Sequence, residues 1–145
     1  MPLDTLDRRL LALLQTNART SATDLARQLG IARSTVLARQ ARLERKGVIV
    51  GYTVRLAQDD GAGTGVQAYV GISTAPKAAA VVTQRLAALP ELRQLCSVSG
   101  EFDYLALLHA ASPARLDGLL DEIGAIDGVV RTTTSVVLAR RIDRT

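Results

Sequence analysis

The 145-residue chain is predicted to be an α+β protein made of two differently built units. Three observations predict it. Apolar residues recur at helical spacing in the front third of the chain, and strand-like and helix-like runs alternate in the rear. A polar, Gly-rich segment, 58–65, separates the two patterns. The charge balance changes sign at that segment: residues 1–55 carry ten Lys/Arg against four Asp/Glu, and residues 56–145 carry eight against ten. The predicted division is therefore 1–56, a linker at 57–65, and 66–145.

Composition bounds the answer further. With 48% hydrophobic and 22% charged residues the chain has the balance of a soluble globular protein with enough apolar mass for one or two small cores. The longest uncharged stretch, the 16 residues 61–76, is rich in Gly and Thr, so a membrane-spanning helix of about 20 apolar residues is not expected. Met1-Pro2-Leu3-Asp4 lacks a basic segment followed by an apolar one, and a cytoplasmic protein without a signal peptide is expected. Cys96 is the single cysteine, which excludes an intrachain disulfide and any multi-cysteine metal site; no metal and no cofactor are expected. The net charge of +4 hides a basic front, and 16 of the 18 cations are Arg, the side chain whose planar fork suits phosphates and guanine edges. An Arg-rich decoration of solvated faces would give the same composition.

In the front unit Leu6, Leu10, Leu13 and Leu14 define a first helix behind Asp4, an N-cap with Asp7 three residues on. Ser21 followed by Asp24 resembles a capping box opening a second helix over 23–29, ended by Gly30. A third helix is predicted over 33–46, closed by Gly47, and 48–56 reads as a short strand pair with Gly51 between its halves. The rear unit carries an echo with a 37-residue period, matching Pro76 with Pro113, Val82 with Leu119, Leu86 with Ile123, Leu89 with Ile126 and Leu92 with Val129. Each copy reads strand, Pro-initiated helix, turn, strand. Strands are predicted over 66–73, 92–99, 104–110 and 129–140, and helices over 77–88 and 114–123, the second with Ser112 as cap and Pro113 in its first turn. Two βαβ halves in tandem give a split βαββαβ, ferredoxin-like sandwich, one sheet face covered by helices and the other left for dimerisation or a ligand.

The front unit has the spacing of a helix-turn-helix. Ala26 is small where two helices cross, Gly30 permits the turn, and Val36 returns to the core six residues later. At 100° per residue Thr35, Arg39, Arg42 and Lys46 fall within an arc of roughly 60°, while Val36 and Leu43 point about 90° away. One stripe is cationic and another apolar, as required of a helix that packs on its own domain and enters a major groove. Arg33, Ser34, Thr35 and Arg39 are the candidates for bases and phosphates of double-stranded DNA, because the N-terminal half of such a helix meets the base edges. Arg42 and Lys46 lie further along, toward DNA backbone or partner carboxylates. An ordinary solvated face is the alternative reading of the stripe.

These residues carry a resemblance. Leu3-Asp4, Asp7, Leu10, Leu14-Gln15 and Ala18-Arg19, then Asp24-Leu25-Ala26 and Leu29-Gly30-Ile31, then Arg39, Arg42-Leu43-Glu44, Gly47-Val48-Ile49 and Gly51-Tyr52 resemble the amino-terminal domain of the leucine-responsive regulatory protein/AsnC family of transcription regulators. After the linker, Val98-Ser99-Gly100-Glu101-Phe102-Asp103-Tyr104 resembles that family's effector loop, and Gly128-Val129, Thr132, Thr134 and Val136-Val137 its last strand. The resemblance implies a winged helix-turn-helix domain, a βαββαβ domain that dimerises, a ring commonly of four dimers (an octamer), and an amino-acid effector bound between dimers. Carried over residue by residue, the effector candidates are Gly100, Glu101, Asp103, Tyr104, Thr132 and Thr134. The sequence departs from the family pattern at Ala32, where a capping Ser is common, at Gln40, usually apolar, and at Glu101, commonly Asp.

Physics alone leaves the effector site open. A tight Gly100–Asp103 connection offers backbone N–H groups and two carboxylates to a zwitterion, and Thr132 and Thr134 share one strand face. A hairpin turn with solvated acids, and β-branched residues suited to a strand, are the plainer readings. The function expected is a ligand-modulated, sequence-specific DNA-binding regulator and not an enzyme. Two alternatives stand beside it: a tetrapyrrole decarboxylase of the same two-domain architecture, for which the chain offers only His109, three Tyr and Cys96, and an effector-independent architectural DNA-binding protein. His109 reads as structural or surface, and Cys96 as a small buried hydrophobe.

Overall fold

A computed structural model describes residues 2–55 and 65–143. It folds as two compact units, Met1–Ala57 and Gln58–Thr145. The predicted linker at 57–65 lies outside the described residues except for Gly65.

The front unit consists of α1 (Thr5–Thr16), α2 (Ala22–Leu29) and α3 (Arg33–Arg45). Asp4 caps α1 by accepting from the Asp7 N–H at 2.7 Å, and the Asp7 carboxylate accepts in return from the Asp4 N–H at 3.3 Å. This reciprocal pair satisfies two backbone donors that a helix start leaves open. Ser21 caps α2 by accepting from the Asp24 N–H, but the Asp24 side chain turns to Arg27 instead of back to the cap. Gly30 ends α2 at φ 69°, in the left-handed region where a Cβ is costly. Ala32 gives α3 no side-chain cap, yet the helix still starts at Arg33, because Val36 and Leu43 anchor it in the core. That core is Leu10, Leu14, Leu25, Ala26, Leu29, Val36 and Leu43.

The strand pair expected over 48–56 does not form among the described residues: 48–55 carries no strand, and Leu56 lies outside them. Both Val48 and Ile49 donate back to the Leu43 carbonyl, which folds Ile49 onto the core. Val50 and Val54 then stand 94% and 77% exposed. A lone two-stranded ribbon is marginal in water, which is why alternation alone does not produce it here.

The rear unit runs β1 (Val66–Thr74), α4 (Ala79–Ala87), β2 (Leu92–Ser97), β3 (Tyr104–Ala110), α5 (Pro113–Gly124) and β4 (Val129–Val136). The sheet order is β2-β3-β1-β4, all antiparallel neighbours. This is the ferredoxin-like order that two interleaved βαβ halves produce. Ala68, Val70 and Ile72 of β1 and Ala106, Leu108 and Ala110 of β3 are fully buried against Val82 and Leu86 of α4 and Leu119 and Ile123 of α5.

The 37-residue echo holds at the core positions Val82/Leu119 and Leu86/Ile123 and fails at the helix starts. Ser112 accepts from the Arg115 N–H and Pro113 occupies the first turn of α5. The equivalent cap position is Ala75, which has no side-chain acceptor. Pro76 accordingly sits in a turn, Lys77 takes a positive φ of 67°, and α4 begins only at Ala79. β4 stops at Val136, opposite Ala68, rather than at position 140; the Val137 N–H still donates to the Gln67 carbonyl at 2.8 Å, but β1 starts at Val66 and offers no partner beyond position 138. No helix among the described residues is long and apolar enough to cross a membrane.

Candidate nucleic-acid interface and effector site

The first turn of α3 is the open end of the front unit. Arg33 and Ser34 are exposed, and Thr35 is half-buried beside them. Ser34, Thr35, Ala38, Arg39 and Arg42 line an open concavity of about 510 Å³. Val36 and Leu43 are fully buried, so the apolar stripe faces inward as its spacing requires.

The cationic stripe is not a free solvated edge. Arg39 donates through Nη1 to Asp4 Oδ2 at 2.6 Å and to Asp7 Oδ1 at 2.9 Å. Arg42 donates through Nη2 to both Asp7 oxygens, each at 2.7 Å. Asp7 is 1% exposed and is the buried charged residue of this core. The hydrogen bond from Arg39 holds the Asp4 carboxyl below its ordinary range, and the Asp4 and Asp7 carboxylates raise the Arg39 guanidinium in turn. Sequence reasoning placed Asp7 only in the cap. The overlooked signal is that Asp7 lies at i, i+3 and i+7 with Leu10 and Leu14, an inward face on which a carboxylate needs charged partners.

Gln40 has a role of its own. Its Nε2 donates to the Tyr52 hydroxyl at 2.7 Å, and that hydroxyl donates to Glu44 Oε1 at 2.8 Å. Tyr52 thereby ties segment 48–55 to the surface of α3, which is why a polar side chain stands at this position. Partial burial pushes the Tyr52 hydroxyl above its ordinary range, with Glu44 adding to the shift.

In the rear unit the six candidate effector residues fall into two groups. Tyr104, Ile72 and Thr132 form one row across β3, β1 and β4, and Thr134 pairs with Val70 in the row beside it. Since Val70 and Ile72 face the helices, so do Tyr104, Thr132 and Thr134, all half-buried. The loop 100–103 lies at the end of the sheet. Gly100 has φ 107° there, a conformation that favours glycine. The Asp103 N–H donates to the Ile72 carbonyl at 3.0 Å, and Asp103 Oδ2 accepts from the Thr74 N–H at 2.8 Å. Asp103 therefore latches the loop, while Glu101 remains exposed. β1 stands between Tyr104 and Thr132, two strand spacings or about 10 Å of separation, so within one chain the loop and the Thr pair do not close around one point.

Phe102 goes to the other sheet face. A Cβ at Gly71 would meet the Phe102 ring at 2.5 Å, and Gly71 is buried under it. The Arg131 guanidinium lies 5.9 Å from the ring centroid, a cation–π contact that sequence reasoning did not select. Further along that face Tyr69 is 42% exposed, and Gln67, Leu105, Leu107 and His109 are half-buried. Cys96 is exposed, against expectation: it pairs with Leu105 on this same face and lies on the edge strand β2.

A helix-turn-helix whose third helix carries a cationic stripe, joined to a ferredoxin-like sandwich with a glycine-pinned loop, defines a DNA-binding regulator with a ligand-binding domain. Residues 3–50 match the winged helix-turn-helix DNA-binding model and residues 67–145 the Lrp/AsnC ligand binding domain model. The chain belongs to the Lrp/AsnC family of DNA-binding transcription regulators. It is 32% identical over 139 residues to the HTH-type transcriptional regulator LrpA of Pyrococcus horikoshii, covering 95% of this chain and 98% of that protein. Among solved structures it resembles AsnC of E. coli, with a TM-score of 0.87, 28% identity, and coverage of 100% and 98% of the two chains. It also resembles a transcriptional regulator of Neisseria meningitidis solved as an L-Met complex, with a TM-score of 0.85, 26% identity, and coverage of 99% and 94%.

Proposed function

We propose that the front unit, 1–56, reads double-stranded DNA with the N-terminal half of α3, and that an amino acid or a related small molecule held by 66–145 modulates its assembly or DNA affinity. The observation that carries this reading is the exposed first turn of α3 opening onto the concavity formed with Thr35, Arg39 and Arg42. Arg33, Ser34 and Thr35 meet bases and phosphates, and Arg39 and Arg42 offer the donors that Asp4 and Asp7 leave unused. The complex of the neisserial relative with L-Met supports an amino-acid ligand. Gly100, Glu101, Asp103, Tyr104, Thr132 and Thr134 are its proposed contacts, with the loop of one protomer facing the Thr pair of another. The partly exposed sheet face around Tyr69 supports a dimer, and dimers assemble further toward an octamer. The protein acts in the cytoplasm and without catalysis, in line with relatives named as transcriptional regulators.

Selection of bound fragments from genomic DNA, repeated with each amino acid present, tests the whole reading. Enrichment of a pseudo-palindromic site that shifts with one amino acid is expected. Arg33→Ala should cost about 1–3 kcal/mol on that site if it meets a base, and lower the salt slope by about one on all DNA if it meets phosphate. Binding with no sequence preference and no amino-acid response would favour an architectural protein, and a visible absorption change on tetrapyrrole titration would favour an enzyme.

A further inference from the structure

Two arginines of α3, one helical turn apart, converge on a single carboxylate of α1. Asp7 is buried to 1% exposure and receives three N–H···O contacts of 2.7–2.9 Å from Arg39 and Arg42. Asp4, 52% exposed at its side chain, receives a fourth at 2.6 Å. A buried carboxylate is costly unless paired, and a Leu or Ala at position 7 would pack on Leu10 and Leu14 without that cost. Filling alone does not call for an ion here: the Asp7 carboxylate closes the capping box on the Asp4 N–H, and its remaining acceptor capacity goes to the two arginines. The pairing does two things to α3. It fixes two long side chains that otherwise sample many rotamers, and it sets two negative charges against the two positive ones. Each guanidinium retains unused donors, of which Arg42 Nε is buried and the others remain available, and both residues line the concavity with Ser34, Thr35 and Ala38.

We infer that Asp7 is a positioning residue for DNA specificity: it withholds the charge of Arg39 and Arg42 from indiscriminate phosphate binding and presents their remaining N–H groups in a preset geometry. The inference rests on α3 being the DNA-reading helix. Free guanidinium groups would condense on any duplex by counterion release, which is insensitive to sequence. Held ones contribute where the acceptors of the DNA match their placement.

The test compares the full-length protein with Asp7→Asn, Asp4→Asn and the double variant Arg39→Ala/Arg42→Ala, titrated at several salt concentrations onto the selected site and onto a scrambled duplex. Asp7→Asn keeps the shape and removes the charge. It should bind the scrambled duplex more tightly, steepen the slope of log K against log salt by about one, and reduce the ratio of specific to scrambled affinity by about tenfold or more. A fall in both affinities at unchanged slope and ratio overturns the inference and leaves Asp7 a packing residue. Should Asp7→Asn lack the helical circular dichroism of the parent, Asp4→Asn carries the test. Asn remains a good N-cap, and loss of one of the two carboxylates on Arg39 should still lower the ratio by about threefold; an unchanged ratio then overturns it. If Arg39→Ala/Arg42→Ala binds both duplexes like the parent, the inference fails; if Arg33→Ala does so as well, the reading of α3 as the DNA helix fails with it. If the double variant loses binding while the carboxylate variants keep ratio and slope, only the inference fails.

Discussion

Gly71→Ala offers a sharp test of how the loop 100–103 is held. An added Cβ would stand 2.5–2.6 Å from three atoms of the Phe102 ring, where carbon atoms in contact prefer about 3.5–4.0 Å. The ring must move by roughly 1 Å, but its chain is tied on both sides. The Asp103 N–H bonds the Ile72 carbonyl, the Val98 N–H bonds the Asp103 carbonyl, and the Asp103 carboxylate accepts from Thr74. Overpacking of this kind costs about 1–3 kcal/mol. Against it, Ala in a strand interior is favoured over Gly by about 0.5–1 kcal/mol. The net expectation is destabilisation of the rear unit by about 1–2 kcal/mol. In a Phe102→Ala background the clash disappears, and Gly71→Ala should stabilise by about 0.5–1 kcal/mol, reversing sign. Urea titrations of the parent, both single variants and the double variant, followed by amide resonances of 66–136, give the coupling directly. Equal destabilisation with and without Phe102, or a coupling below about 0.5 kcal/mol, would show that the ring does not pin the loop to β1.

Tyr52→Phe removes both side-chain hydrogen bonds that tie segment 48–55 to α3 and leaves the backbone bonds of Val48 and Ile49 to the Leu43 carbonyl. Because the site is half exposed, a loss near the low end of about 0.5–1.5 kcal/mol is expected, seen as faster amide exchange at Val48 and Ile49; unchanged exchange would place the anchor in Ile49 alone. Acid should loosen both units by the same logic. Arg39 lowers Asp4 from its ordinary 3.8 and Arg115 lowers Glu91 from 4.5, so each pairing contributes fully above those values and is lost as pH falls through the lower folded ones. Urea midpoints measured from pH 6 down to pH 3 should fall below about pH 4.5, and Glu91→Gln should flatten the decline in the rear unit. A decline identical in parent and variant would assign it to other carboxylates.

Much of the fold was legible because its signals are local. Ala26, Gly30 and Val36 mark the turn between α2 and α3 by spacing alone, and the structure gives Gly30 its left-handed φ and Val36 a fully buried place. Ser112-Pro113 announces α5 without reference to anything distant. The misplaced boundaries follow from what local patterns omit: α4 starts late because Ala75 cannot cap, β4 cannot reach position 140 because β1 starts at Val66, and 48–55 folds back on the Leu43 carbonyl instead of pairing. At the site, helical angles correctly separated Val36 and Leu43 from the cationic stripe. They said nothing about the carboxylates that α1 brings beneath Arg39 and Arg42 across more than thirty residues of chain.

By itself the amino-acid sequence determined the two-unit plan, the helix-turn-helix with its cationic stripe and the family resemblance, since each depends on periodicity, turn chemistry and motifs close along the chain. Tertiary structure decided that Asp7 is a buried anion shared by two arginines, that Asp103 is spent on Thr74 while Glu101 stays exposed, that Phe102 covers Gly71 with Arg131 over its ring, and that Tyr104 and the Thr pair lie on the helix side. The reason is physical. Ion pairing, sheet register and burial depend on which residues meet through space, and a period along the chain does not specify its partner.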